Sequence, residues 1–352
     1  MNVLIEKEVF EQATAEEQKL ELSFLLYLIW YQNRYSLILN EDVRNCQFVN
    51  GLKENDVYLL ELCFTSTISG SMTTDCTIST IGDTISDKKI FSVSEGIKYL
   101  MQPSSIIVEN SLNDAHFIRA IIRCYDSSGM LIVHDQEQWL QFENAGGCRN
   151  IINYIQSRIN QCGKVKFLRC FVIVDGDKYY PTETVTKYES LKKKLKEWNI
   201  GYHILEKRCM ENYMPIDAIP TNSTTLHWKK AYQNLTSDQR DFLNIGAGFY
   251  GDLTENPYKN MEHISKRKRA RVLKKVIRTF RNNDISKFYQ SVSDEDFRSL
   301  CKGIGIKDFK REFPKYFDDN HNIYKAAFDR LTAHQQNVNE LEDIVNALRK
   351  LI

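Results

Sequence analysis

The sequence predicts an α/β protein. A central Rossmann-like domain with a parallel sheet is flanked by an α+β N-terminal region and a mainly helical C-terminal region. Three observations predict it. Between residues 104 and 215, short apolar runs alternate with helical segments. Runs such as Phe171-Val172-Ile173-Val174 are apolar throughout, so both faces are buried, as when helices cover a parallel sheet. A length of 352 residues also exceeds one ordinary core, which predicts several domains. The texture places them at 1–97 (structural or partner-binding), 98–215 (the regular parallel α/β domain) and 216–352 (helical and basic).

The first 35 residues read as helical. Thr14 and Glu17 fit a capping box, and Leu20, Phe24, Tyr27 and Leu28 form an apolar stripe. β-type runs follow at 36–39, 57–64 and 77–81, separated by Asn, Gly, Ser and Asp. In the central domain strands are expected at 105–108, 130–133, 168–174 and 202–205, with helices at 113–124, 148–159 and 184–198. The chain closes on an amphipathic run at 338–352 and shows no internal repeat.

Composition narrows the function classes. Lys and Arg number 47 against 46 Asp and Glu, a net charge of +1, so the whole molecule is not a polycation; a local basic patch remains open, since charge acts where it clusters. Nine cysteines at irregular spacings include no Cys-x-x-Cys, which argues against a zinc ribbon or a thioredoxin site and for a reducing, cytoplasmic compartment. The most apolar stretch, residues 22–31, is far short of the ~20 that span a bilayer, and no membrane partner is expected.

Chemistry concentrates in acidic residues at strand ends. Glu109 directly follows Ile106-Ile107-Val108, Asp114 opens the next helix, Asp175-Gly176-Asp177 follows the strand at 168–174, and Glu211 comes soon after the strand at 202–205. Right-handed βαβ units put these ends on one sheet edge, where open α/β sheets hold their sites. Alternate residues of an extended segment face one way, so Asp175 and Asp177 can share a cation. Oxygen ligands without His or Cys select Mg²⁺ or Mn²⁺, ions that act on phosphate oxygens. Each piece also has an ordinary explanation: loops after strands are polar, and Asp114 suits a helix start. Their joint placement on successive units of one sheet is what points to a site.

At these residues the chain resembles a TOPRIM domain, the Mg²⁺-binding fold of topoisomerases, bacterial primases and several nucleases, with Glu109 after the first strand and Asp175/Asp177 after the third. It is most similar to OLD-type nucleases and related TOPRIM effectors of bacterial anti-phage defence. Their downstream Arg-x-x-Glu-Asn-Tyr segment is matched by Arg208-Cys209-Met210-Glu211-Asn212-Tyr213, and their Gly-rich turn by Ala145-Gly146-Gly147. The resemblance covers about a third of the chain. Two departures stand out: Asn110 replaces a Gly, and the second acidic residue, Asp114, falls one position late. The resemblance implies a Mg²⁺- (or Mn²⁺-) dependent nuclease cutting DNA or RNA, tRNA included, as the toxic effector of a defence system. Glu109, Asp175, Asp177 and Glu211 would be catalytic and, with Asp114, metal-binding; Lys178, Lys207 and Arg208 would meet phosphate. No Gly-x-x-x-x-Gly-Lys-[Ser/Thr] segment occurs, so the ATPase of OLD-type proteins would be a separate subunit.

In residues 266–281, nine of sixteen are Lys or Arg, with Val272, Leu273, Val276, Ile277 and Phe280 forming an apolar face. Arg267, Arg271, Lys274 and Arg278 line one helical face and suit a phosphate backbone. Two other readings compete with the nuclease. One is a haloacid-dehalogenase-type phosphatase, which expects its Asp-x-Asp near the domain start and followed soon by Thr, where Lys178 stands. The other is a non-enzymatic nucleic-acid-binding or scaffold subunit.

Overall fold

The computed structural model describes residues 1–31, 34–70, 73–83, 88–163, 165, 167–251, 287–318 and 324–352. Two four-stranded sheets organise them, and every strand pairing is parallel. The first holds β1 (Asn2–Ile5), β2 (Ser36–Ile38), β3 (Cys76–Ile78) and β4 (Ile90–Phe91) in the order β2-β1-β3-β4. The second holds β5 (Ser104–Val108), β6 (Leu140–Asn144), β7 (Cys170–Val174) and β8 (Gly201–Ile204) in the order β6-β5-β7-β8.

The N-terminal region is therefore parallel α/β, not the expected α+β. Helices α1 (Lys7–Gln12) and α2 (Glu16–Tyr31) link β1 to β2, and α3 (Glu54–Ser69) links β2 to β3. Helix α4 (Val93–Leu100) follows β4. The run at 57–64, expected as a strand, lies inside α3: Val57, Leu60 and Phe64 recur at helical spacing on its inner side, and Glu54 and Asp56 favour its N-terminal dipole.

The second sheet matches the sequence more closely. Helices α5 (Ser111–Tyr125) and α6 (Met130–Gln136) link β5 to β6, α7 (Cys148–Gln161) links β6 to β7, and α8 (Glu189–Glu197) precedes β8. Residues 130–133, expected as a strand, form the first turn of α6; the true strand is β6, ten residues later. It sits at the sheet edge and carries polar Gln141, Glu143 and Asn144, so it lacks the apolar run that marks an interior strand.

Interior strands β5 and β7 are buried along their whole length. Ile106, Val108, Phe171 and Ile173 face one core with Phe117 and Ile121 of α5, while Ile107, Val172 and Val174 face another with Ile151 of α7 and Leu195 of α8. The first core continues into the C-terminal region through Trp228, Phe297, Phe328 and Leu341, so residues beyond 215 share their interior with the central sheet. That region is helical, as expected, including Leu226–Gln233, Ser237–Phe242, Asp294–Leu300, Lys325–Thr332 and Glu340–Arg349. A buried Arg169 ties the parts together, donating to the Tyr35 hydroxyl and to the carbonyls of Leu100, Gln102 and Leu351. Among the described residues, no helix is long and apolar enough to cross a membrane.

Helix α2 turns a different face inward than its stripe suggested. Leu22, Leu25, Leu26 and Ile29 are buried, whereas Leu20, Phe24 and Tyr27 are exposed. At its start the Gln18 side chain, rather than a Thr14–Glu17 box, accepts the amides of Thr14 and Ala15.

Candidate functional site

In an open parallel sheet, ligands sit outside the strand C-termini where the strand order reverses. In the second sheet that point lies between β5 and β7, because β6 is added on one side of β5 and β7 on the other. Glu109 follows β5 and Asp175 follows β7, so the topology alone brings these two carboxylates to one crevice.

Two further acidic groups join them. Asp114 lies in the first turn of α5, and its carboxylate accepts the Asn110 amide at 2.8 Å. Glu211 sits in the 3₁₀ turn Met210–Tyr213 beyond β8. Burial, and then the charges of Glu211 and Glu109, push the Asp114 carboxyl up to about 7. Burial pushes Asp175 well above the usual carboxylate range, with Glu211, Asp114 and Glu109 adding to it. The four are thus electrostatic neighbours, and among the described residues none of them is in an ion pair.

Local structure fixes each group. The Ala145-Gly146-Gly147 turn takes positive φ at both glycines, 72° and 102°, which aims the N-terminus of α7 at the crevice. The Cys148 amide there donates to Glu109 Oε2 at 3.2 Å, while Glu109 Oε1 is buried with no partner among the described residues. Asp175 Oδ1 accepts the Met210 amide at 3.0 Å, and its carbonyl accepts the Tyr188 hydroxyl at 2.6 Å. Gly176 has a stricter role: a Cβ there would stand 2.2 Å from the Lys207 carbonyl oxygen and 2.4 Å from that of Leu205. Only Gly lets the loops after β7 and β8 touch.

Asp177 is placed differently from the expectation of a shared face with Asp175. Its φ of +51° takes the chain out of the extended conformation on which that alternation depends. Its carboxylate pairs with Lys187 and accepts the Tyr188 hydroxyl at 2.8 Å. Sequence reasoning missed both Lys187 and Tyr188, which lie in the stretch before α8 and carry no motif.

The cations divide. Lys178 is partly exposed beside Asp177. The Arg208 guanidinium lies 4.5 Å from the Tyr179 ring centroid and donates to the Phe242 carbonyl. Lys207 is corrected from a phosphate ligand to an internal residue: it is 0% exposed, and its ammonium pairs with Asp241 at 2.8 Å and donates to the Leu331 carbonyl. The sequence could not show this, because Asp241 is 34 positions away. Arg267, Arg271, Lys274 and Arg278 lie outside the described residues.

The Arg208–Tyr213 segment is bolted to the C-terminal helices. Asn212 donates to the carbonyls of Arg240 and Leu243, at 2.8 and 2.9 Å. The Tyr213 hydroxyl donates to Glu340, which is wholly buried and also accepts from the Glu206 amide and Gln335 and contacts His203 Nε2 at 2.7 Å. Burial raises the Glu340 carboxyl, but His203 and these donors outweigh it and hold the group below its ordinary value.

Comparison of the chain with protein-family models, with curated proteins and with solved structures finds no match.

Proposed function

We propose that this protein is a Mg²⁺- or Mn²⁺-dependent nuclease of TOPRIM type, hydrolysing phosphodiesters of DNA or RNA, and that it works as a defence effector beside a separate ATPase subunit. The observation that carries the reading is that Glu109 and Asp175 follow the two strands between which the order reverses, with Asp114 and Glu211 near enough to raise the Asp175 carboxyl. Like charges held together in this way are relieved by a cation or by protons.

The donor set fits a hard divalent ion. All four groups offer oxygen, and Glu109 Oε1 is a buried acceptor with no hydrogen-bond partner among the described residues. Among the described residues no three His, Cys, Asp or Glu side chains already stand close enough to share one ion, so loading would draw the carboxylates together. Glu109, Asp175 and Glu211, with Asp114, would hold the ion. Such an ion, when bound, activates water and stabilises a leaving oxygen.

The chain's own groups do the rest. The Gly146-Gly147 turn leaves the backbone open, and the N-terminal dipole of α7 favours an anion beside it. The Tyr188 hydroxyl stands within hydrogen-bond reach of both the Asp175 carbonyl and the Asp177 carboxylate, and its one proton ties it to this loop through either. Lys178 and Arg208 stand on neighbouring loops for phosphate contact, and the basic stretch at 266–281 adds charge for a longer nucleic acid.

Incubating the purified protein with Mn²⁺ or Mg²⁺ and, separately, plasmid, single-stranded DNA and tRNA tests the proposal. Cleavage that Asp175→Ala abolishes is expected. No cleavage of any substrate, with Asp175→Ala indistinguishable from the parent in cells, would overturn it.

A further inference from the structure

Two arginines are buried side by side where the two sheets meet. Arg34 stands just before β2 and Arg169 just before β7, and they are 6% and 1% exposed. Both donate to the Gln102 carbonyl, Arg34 Nη2 at 3.0 Å and Arg169 Nη1 at 3.2 Å. Both guanidiniums also lie beside the Tyr35 ring, 5.3 and 5.2 Å from its centroid. Gln102 leads into β5, and Trp139, whose ring centroid is 5.8 Å from the Arg34 guanidinium, leads into β6. The pair therefore sits at the strand N-termini, the edge of the second sheet opposite the carboxylates.

Among the described residues neither arginine is in an ion pair, and the acidic groups around them are engaged or neutral. Asp75 accepts the Asn2 amide at 2.7 Å, and Asp126 pairs with Arg349 at 2.9 Å. Burial holds the Tyr35 phenol above its ordinary pKa and pushes the Cys76 thiol up to about 12, so both keep their protons. Burial, and then the Arg169 charge, push the Arg34 guanidinium down to about 10, which still leaves it charged at neutral pH. Two like charges thus share a dry site. A buried charge without a counter-charge costs more than contact with an aromatic face repays.

The cluster also holds unused donors. Arg34 Nε, Arg169 Nε and His134 Nδ1 are buried with no hydrogen-bond partner among the described residues. His134 is 2% exposed and packs edge-on against Trp139, with ring centroids 5.2 Å apart. Burial, and then the charges of Arg34 and Arg169, push its pKa down to about 4. The neutral ring can carry its proton on Nδ1.

We infer that this junction binds a small inorganic anion, a halide or a tetrahedral oxyanion. The anion neutralises Arg34 and Arg169 through their unused Nε–H groups, with His134 as a further donor; guanidinium donors to an anion make the stronger class of hydrogen bond. It ties together the segments that lead into β2, β6 and β7, and so fastens one sheet to the other. The assignment does not depend on the nuclease reading.

The melting temperature of the full chain, at constant ionic strength with potassium gluconate exchanged stepwise for chloride, sulfate or phosphate, tests it and tells the anions apart. At least one of the three is expected to raise it, as a ligand of the folded chain alone must. The concentration at which the rise sets in should be tenfold or more higher in Arg34→Gln, which removes the charge and keeps a polar side chain. Arg169→Gln should behave likewise; should it fail to fold, Arg34→Gln decides alone. The general stabilisation by sulfate and phosphate is common to parent and variant, so a rise that sets in at the same concentration in Arg34→Gln would overturn the inference. So would a melting temperature indifferent to all three anions.

Discussion

Asp114 shows how one side chain serves two purposes. Its carboxylate satisfies the Asn110 amide at the start of α5, an ordinary helix-start duty, and it also stands beside the acidic cluster; burial first, then the charges of Glu211 and Glu109, raise its pKa to about 7. A carboxyl whose folded pKa is raised contributes stability below its unfolded value, ~3.9, and loses it as pH rises through the folded one. In EDTA, the melting temperature of the parent should therefore fall between about pH 4 and 7 more steeply than that of Asp114→Asn; parallel slopes would refute this. Gly176→Ala makes a sharper demand, because both obstructing atoms are backbone carbonyls. A loss of ~1–3 kcal/mol or more is expected from urea denaturation, with disruption of the crevice. Lys187→Ala should leave the fold intact while freeing the Asp177 carboxylate from its ion pair. Tighter Mn²⁺ binding, by calorimetry, is the expected result, and unchanged affinity would mean that Asp177 lies beyond the reach of the ion.

At the level of elements, α2 offers a direct test of which face is buried. Leu25→Ala should cost ~2–5 kcal/mol, since Leu25 is 0% exposed. Phe24→Ser, on the outer face at 42% exposure, should change stability by no more than ~0.5 kcal/mol; urea midpoints compare the two. The same helix shows what the sequence could and could not reveal. In Leu22-Ser23-Phe24-Leu25-Leu26-Tyr27 apolar residues occupy nearly every position, so periodicity cannot choose a face. Strands β5 and β7 were legible because unbroken apolar runs ended on acidic residues. The edge strand β6 and the helix α3 were not, since one is half polar and the other opens on a run that suits either conformation. Glu109, Asp114, Asp175 and Glu211 could be found from position alone. Lys187, Tyr188 and the partners of Lys207 could not, because their roles arise from contacts that only the folded chain creates.

Over the whole molecule, the near-neutral charge is a sum of unlike parts, a crowded carboxylate crevice and a basic stretch at 266–281. If that stretch holds a phosphate backbone, reversing Arg267, Arg271, Lys274 and Arg278 to Glu should weaken nucleic-acid binding and flatten its dependence on salt. An unchanged salt slope by fluorescence anisotropy would assign those residues elsewhere. The duplicated sheet order is a second property seen only at this scale, since no sequence repeat accompanies it: β1 alternates between partly and fully buried positions, whereas β5 is buried throughout.

Glu340 joins the ends of this arrangement. It is the buried acceptor for Tyr213, and Tyr213 stands two residues from Glu211. Strands β5 and β7 leave the ribosome long before residue 340 does, so the emerging chain carries Glu109 and Asp175 without the support that positions Glu211. Synthesis order thereby sets assembly order: the turn that carries Glu211 can settle against Glu340 only once the helix Glu340–Arg349 has emerged.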